Sequence, residues 1–128
     1  MEFKTVDEGS RFYFDVEDES KGYVQIRLST PADIEEIERA TTKKRTEYKK
    51  GGRFEFIDRN EKLYFELIYD KSIVGWDNVY IDGELAECTK DNKIKLMKNS
   101  NQFASFITDC IETLAADTKI DDEDAVKN

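Results

Sequence analysis

"RFEFIDRNEKLYFELIY", Arg53 to Tyr69, is the stretch whose reading decides the fold. RFEFI alternates apolar and polar residues with a period of two, as a short strand does. LYFELIY, Leu63 to Tyr69, is apolar on nearly every side, and periodicity alone does not separate a buried strand from a buried helix in so short a run. Two arrangements therefore stand. LYFELIY is a strand paired with RFEFI across DRNEK, or it is a buried helix capped by Asp58 or Asn60. The good helix formers that precede it favour the helix.

Upstream, residues 11–29 read as a β-hairpin. Phe12, Phe14 and Val16 alternate with Tyr13, Asp15 and Glu17, and the run from Tyr23 to Leu28 alternates in the same way. The polar segment Glu17 to Gly22 supplies the turn. One face then carries Phe12, Phe14, Val16, Val24, Ile26 and Leu28. Thr30 is a good N-cap, and Pro31, the only proline, suits the first helical position. Ile34, Ile37 and Thr41 share one face of this helix, which the pattern extends to about Tyr48, with Gly51-Gly52 as its stop.

Downstream, Ile73, Val74 and Trp76 lie close together, and Asp82-Gly83 marks a turn. Trp76 reads as an anchor to the core, the competing reading being an exposed contact residue. Thr89 caps a short helix carrying Ile94, Leu96 and Met97, and Ser100 or Asn101 starts the last one. That last helix has the cleanest stripe in the chain: Phe103, Phe106, Ile107, Cys110, Ile111 and Leu114. From Asp117 the sequence is polar and acidic, the composition of a disordered tail. The expected organisation is one globular α+β domain over residues 1–116, followed by an acidic tail over 117–128. In that domain an N-terminal antiparallel hairpin packs against three to four α-helices.

Composition narrows the functional classes. No run of about 18 apolar residues suggests a membrane span. MEFKTVDEGSR lacks an apolar h-region, so no secretory signal and an intracellular, soluble protein are expected. Cys88 and Cys110 are expected as free thiols, Cys110 as a small core residue. The chain has no histidine, which removes the commonest general base and the Ser-His and Cys-His nucleophile pairs. The net charge of −9 argues against a plain nucleic-acid binder. Lys43 to Arg53 nonetheless holds six basic residues and one acidic, which suits either an acidic partner or a solvated helix C-terminus.

Tests for specific chemistry fail. In DNVYIDGE, Val79 and Ile81 stand where a calcium loop needs oxygen ligands, and Lys62 spoils the set with Asp58 and Asn60. No phosphate-binding GxGxxG or Walker sequence occurs. No catalytic residue, metal ligand or cofactor site is expected, and the chain is read as a non-enzyme.

One resemblance gives a specific hypothesis. IVGW at Ile73–Trp76, an acidic residue and an Asp-Gly turn come first, then a polar helix start, Asn92-Lys93 and Leu96-Met97. An amphipathic helix opened by Phe103 follows. With Ile26-Arg27-Leu28-Ser29-Thr30 at the end of the hairpin, this pattern resembles the small tail assembly chaperones of long-tailed bacteriophages and prophages, over residues 12–115. The resemblance also favours a helix at Leu63–Tyr69. It implies a non-catalytic protein of the bacterial host cytoplasm that keeps the long, apolar, helical tape-measure protein soluble before the tail tube polymerises. It further implies recruitment of tail tube subunits, absence from the finished virion, and a longer frameshifted form. Trp76, Gly83, Leu96 and Phe103 match as structural positions. Ile34, Ile37, Thr41, Phe103 and Phe106 are the candidate partner-binding residues, and Trp76 and Gly83 the structural anchors. No nucleic acid and no membrane is expected among its partners. The competing functions are a minor structural tail or head-tail protein, and an acidic regulator that mimics DNA.

Overall fold

The computed structural model describes residues 1–5 and 7–127, with side chains through Thr118. In chain order the elements are β1 (Ser10–Tyr13), β2 (Tyr23–Ile26), α1 (Pro31–Thr41), β3 (Thr42–Lys49), β4 (Gly52–Arg59) and α2 (Glu61–Ser72). They continue with β5 (Ile73–Asp77), β6 (Tyr80–Ile81), β7 (Glu84–Leu85), α3 (Lys90–Asn99) and α4 (Asn101–Lys127). The architecture is α+β, and β1 and β2 form the N-terminal antiparallel hairpin. Contacts divide the chain into two compact units, Met1–Leu28 with Tyr69–Asn128, and Ser29–Ile68, where the sequence suggested one body over 1–116. The helical backbone of α4 continues into the stretch read as a tail; the side chains of 119–128 lie outside the described residues.

In the first unit an antiparallel sheet has the order β1-β2-β5. Phe12, Val24 and Trp76 are cross-strand neighbours, and after a bulge Ile26 faces Ile73. Strand alternation puts these side chains on one face. Val24, Ile26 and Ile73 are fully buried with Phe103, Ile107 and Cys110 of α4, and Leu96 and Met97 of α3 pack on the same cluster. Each fully buried Ile or Val contributes roughly 1.5–3 kcal/mol. The other face is polar and aromatic: the Arg11 guanidinium lies 4.3 Å over the Tyr23 ring, which meets Tyr13 edge-on at 5.7 Å.

The apolar face expected for the hairpin is shorter than the pattern suggested. β1 stops at Tyr13, leaving Phe14 41% and Val16 90% exposed. Short polar side chains close the turn locally. Asp15 Oδ1 accepts the Glu17 amide at 2.9 Å and Asp18 Oδ1 accepts the Ser20 amide at 3.1 Å, so Val16 is caught in the turn.

The second unit corrects the reading of the first helix. The capping box at Thr30 and Asp33 forms, but α1 ends at Thr41, not near Tyr48. Thr41 Oγ1 donates to the Ile37 carbonyl at 2.8 Å and Thr42 Oγ1 to that of Glu38 at 2.6 Å, and the backbone turns extended at Thr42. Residues 42–49 then pair with β4 over eight positions, from Thr42↔Arg59 to Lys49↔Gly52. Hairpin pairing across the Lys50-Gly51 turn overrode the helical reading of a lysine-rich segment. Gly51 (φ +94) serves the hairpin turn and not a helix stop. RFEFI is therefore a strand, paired with β3 and not with LYFELIY. LYFELIY is helical, but it is half-buried, with Phe65 48% exposed, and not a buried helix.

Two glycines hold positive φ for different reasons. Gly83 (φ +86) follows Asp82 (φ 50) in the two-residue turn between β6 and β7, and a Cβ there meets nothing within 4 Å. Gly22 (φ +104) lies against β5, where a Cβ would come 2.3 Å from the Asp77 carbonyl oxygen. Gly83→Ala is expected to cost about 1 kcal/mol. Gly22→Ala adds a backbone collision to that strain and is expected to cost at least about 2–3 kcal/mol, read by urea unfolding.

Burial, with help from the Asp109 carboxylate, pushes the Cys110 thiol up to about 11 from an ordinary 9.0. Between 9.0 and about 11 the folded chain keeps a proton that the unfolded chain releases, so stability falls as pH rises through that window. Cys110→Ala is expected to flatten this alkaline loss, measured by urea midpoints across the same pH range.

Candidate functional site

The first unit carries an open cleft of about 320 Å³. Phe14, Val79, Tyr80, Leu96, Phe103 and Phe106 supply its apolar lining, and Asn78, Ser100 and Gln102 its polar groups. Each wall follows from local chemistry. The Phe14 amide donates to the Gly22 carbonyl at 3.1 Å, which fixes the residue just beyond β1. Asn78, at φ 60, donates from Nδ2 to the Lys21 carbonyl at 3.1 Å and presents Val79 and Tyr80. Ser100 Oγ accepts the Phe103 amide at 3.1 Å, capping α4 so that Phe103 and Phe106 stand one turn apart.

The floor is buried and the rim is open. Val79 and Phe103 are buried, whereas Phe14 is 41% and Tyr80 56% exposed. Phe14 and Phe106 touch, with ring centroids 5.3 Å apart. The turn that follows Phe14 adds four acidic residues, Asp15, Glu17, Asp18 and Glu19. The Glu17 amide and the Lys21 ammonium hold the Asp15 carboxyl below its usual range. The Glu17 and Glu19 carboxylates make no hydrogen bond or ion pair among the described residues. The cleft thus offers aromatic contact area, and the turn that leaves it at Phe14 carries negative charge.

Of the five residues expected to bind a partner, two meet here: Phe103 in the floor and Phe106 in the wall. Ile37 and Thr41 belong to the second unit and are buried, and Ile34 is half-buried. A partner reaches Ile37 or Thr41 only by displacing what covers them. Trp76 packs on the core cluster, meets Phe103 edge-on at 6.0 Å and donates from Nε1 to the Ala86 carbonyl at 2.9 Å. Phe14 and Tyr80 were missed as rim residues. Phe14 sits in register with an alternating strand, and the only signal against a core role is the acidic turn beside it.

The second unit presents a different surface. Every residue of β4 is exposed, and in β3 only Thr42 and Glu47 are half-buried. The hairpin's base is tied down: Arg59 pairs with Glu61 at 2.8 Å and Glu38 at 3.3 Å and lies 4.1 Å over the Tyr64 ring. Residues 42–59 hold seven basic and three acidic side chains in a chain of net charge −9.

A buried ion pair docks α3. Lys93, with a side chain only 10% exposed, donates from Nζ to Asp70 Oδ1 and to the Asp70 carbonyl, both at 3.1 Å, at the C-terminal end of α2. Beside this pair, burial pushes the Cys88 thiol up, partly offset by the Lys93 charge. Among the described residues no group of three or more His, Cys, Asp or Glu is placed to hold a metal ion, and no helix is long and apolar enough to cross a membrane. The two halves of the pair differ in burial, so their removal is expected to differ. Asp70→Ala strands a buried ammonium and is expected to cost about 2–4 kcal/mol. Lys93→Met leaves a carboxylate that water reaches and is expected to cost about 1 kcal/mol or less, both measured by urea unfolding. Compared with known proteins, the chain matches no family model, no curated protein and no solved structure.

Proposed function

We propose that this chain is a non-catalytic phage or prophage tail assembly chaperone that binds the tape-measure protein in the bacterial cytoplasm, with the tail tube subunit a further partner. The observation that carries the reading is the open aromatic cleft lined by Phe14, Tyr80 and Phe106, with the acidic turn Asp15–Glu19 following Phe14 in the chain. A chaperone for an apolar helical client needs apolar surface that the client can cover, and it must stay dispersed without it. An open aromatic cleft in a chain of net charge −9 meets both needs. Amphipathic helices dock in such grooves through anchors at i, i+3 and i+4, with specificity from charges at the rim. The resemblance of Ile73–Phe106 to tail assembly chaperones names the client.

Co-expression with the tape-measure protein of the same genome is the test. The wild-type chain is expected to raise the soluble yield of that protein and to co-purify with it. Phe14→Asp and Tyr80→Asp, both at exposed positions, are expected to weaken the complex at least about tenfold with an unchanged circular dichroism spectrum. If the folded wild-type chain forms no complex and the client stays insoluble, the proposal falls. Stoichiometric presence of the chain in purified particles identifies a structural virion protein instead.

A further inference from the structure

The two faces of the β3–β4 hairpin are not equivalent. Register puts Lys43, Arg45, Glu47, Lys49, Phe54 and Phe56 on one face. There the hairpin covers Phe56: Arg45 lies 4.6 Å over its ring, with Lys49 at 6.0 Å, and Arg45 pairs with Asp58 at 2.8 Å. Tyr48, Ile57, Lys44 and Arg53 are on the opposite face. Here Tyr48 is 78% and Ile57 72% exposed, and neither ring contact nor cation covers Tyr48 among the described residues. Tyr48 and Ile57 are about four residues apart along the ribbon, or roughly 14 Å. Lys44 and Lys50 make no ion pair among the described residues. An apolar pair flanked by uncommitted cations is a docking face for something apolar and acidic.

The chain itself carries such a surface. Outside residues 42–59 it has 13 basic and 26 acidic residues. The Phe14–Phe106 cleft is apolar, and the unpaired carboxylates of Glu17 and Glu19 sit in the turn that follows Phe14. A cavity of about 150 Å³ accepts a benzene ring; the cleft, at about 320 Å³, has room for a tyrosine side chain. We propose that the hairpin of one copy docks in the cleft of a second copy, Tyr48 entering the cleft beside the Phe14–Phe106 pair, with Lys50 against Glu17 and Glu19. This rests on the reading of the cleft as a protein-binding site and adds its regulation: the second copy covers the aromatics until a client displaces it. Each copy carries both halves of the contact, so association either closes as a reciprocal dimer or grows head to tail.

Sedimentation of the chain alone tests this without any client, so its failure is separate from failure of the chaperone reading. The wild type is expected to associate in a concentration-dependent way at low salt and to dissociate at about 0.5 M salt. Tyr48→Ser and Phe14→Ser, both exposed positions, are each expected to weaken association about tenfold or more. Mixing the two variants is the decisive arm. One supplies an intact cleft and the other an intact hairpin, so a 1:1 heterodimer is expected from two chains that are each monomeric. A wild type that stays monomeric at all concentrations overturns the proposal, as does association unchanged by both variants. So does a mixture that fails to pair. Tyr48- and Lys44-dependent binding of a labelled DNA duplex by a monomeric wild type also overturns it, and assigns the face to a polyanion.

Discussion

β2 and β5 are neighbours in the sheet although 46 residues separate Ile26 from Ile73. Closing a loop of that length costs about 3–4 kcal/mol in its length-dependent part. Burial of Val24, Ile26 and Ile73 returns roughly 1.5–3 kcal/mol each, before hydrogen bonds and the contacts of Trp76 are counted. The long closure is therefore affordable, and the residues between the two strands are free to form a compact unit of their own. The same three side chains are the surface on which α4 lays Phe103, Ile107 and Cys110. The cleft depends on this packing, because Phe103 is at once part of the core and the floor of the site.

Charge is distributed by element. The acidic turn Asp15–Glu19 lies beside the aromatic cleft of the first unit, and the basic side chains concentrate on the hairpin of the second. All three of the hairpin's arginines are engaged locally: Arg45 with Asp58, Arg53 with Glu55 at 3.0 Å, and Arg59 with Glu61. Such exposed pairs add little stability. Their effect is to fix cations on both faces of a ribbon that on its own is marginal, Arg45 on one and Arg53 and Arg59 on the other. Lys44 and Lys50 remain available for longer-range attraction. An exposed two-stranded ribbon with open edges invites association, and the Lys-rich composition limits which partner can approach.

Local chemistry was legible in the sequence wherever a short-range rule applied. The caps at Thr30 and Thr89, the Asp82-Gly83 turn and the stripe on α4 each depend on residues within one or two turns of chain. The helical state of Leu63–Tyr69 agreed with the helix formers before it. Misreadings came where pairing or turn closure, and not periodicity, decides. TKKRTEYK has the composition of a helix end, but it pairs over eight positions with GRFEFIDR, the next strand. Phe14 and Val16 continue an alternation that the carboxylates of Asp15 and Asp18 interrupt. The partner-binding set was legible in part for the same reason. Phe103 and Phe106 line the cleft, while Ile37 and Thr41 are buried in the other unit.

The sequence by itself determined the α+β class, the starts of the helices and the acidic balance, because propensity, capping and charge act over a few residues. Only the tertiary structure decided that β5 joins β2, that the lysine-rich segment is a strand, and that Phe14 and Tyr80 rim a cleft. Those outcomes depend on which surfaces meet after the chain has closed. Periodicity marks a side chain as apolar, but burial is set by the neighbour that packs on it, and that neighbour is far away in the sequence.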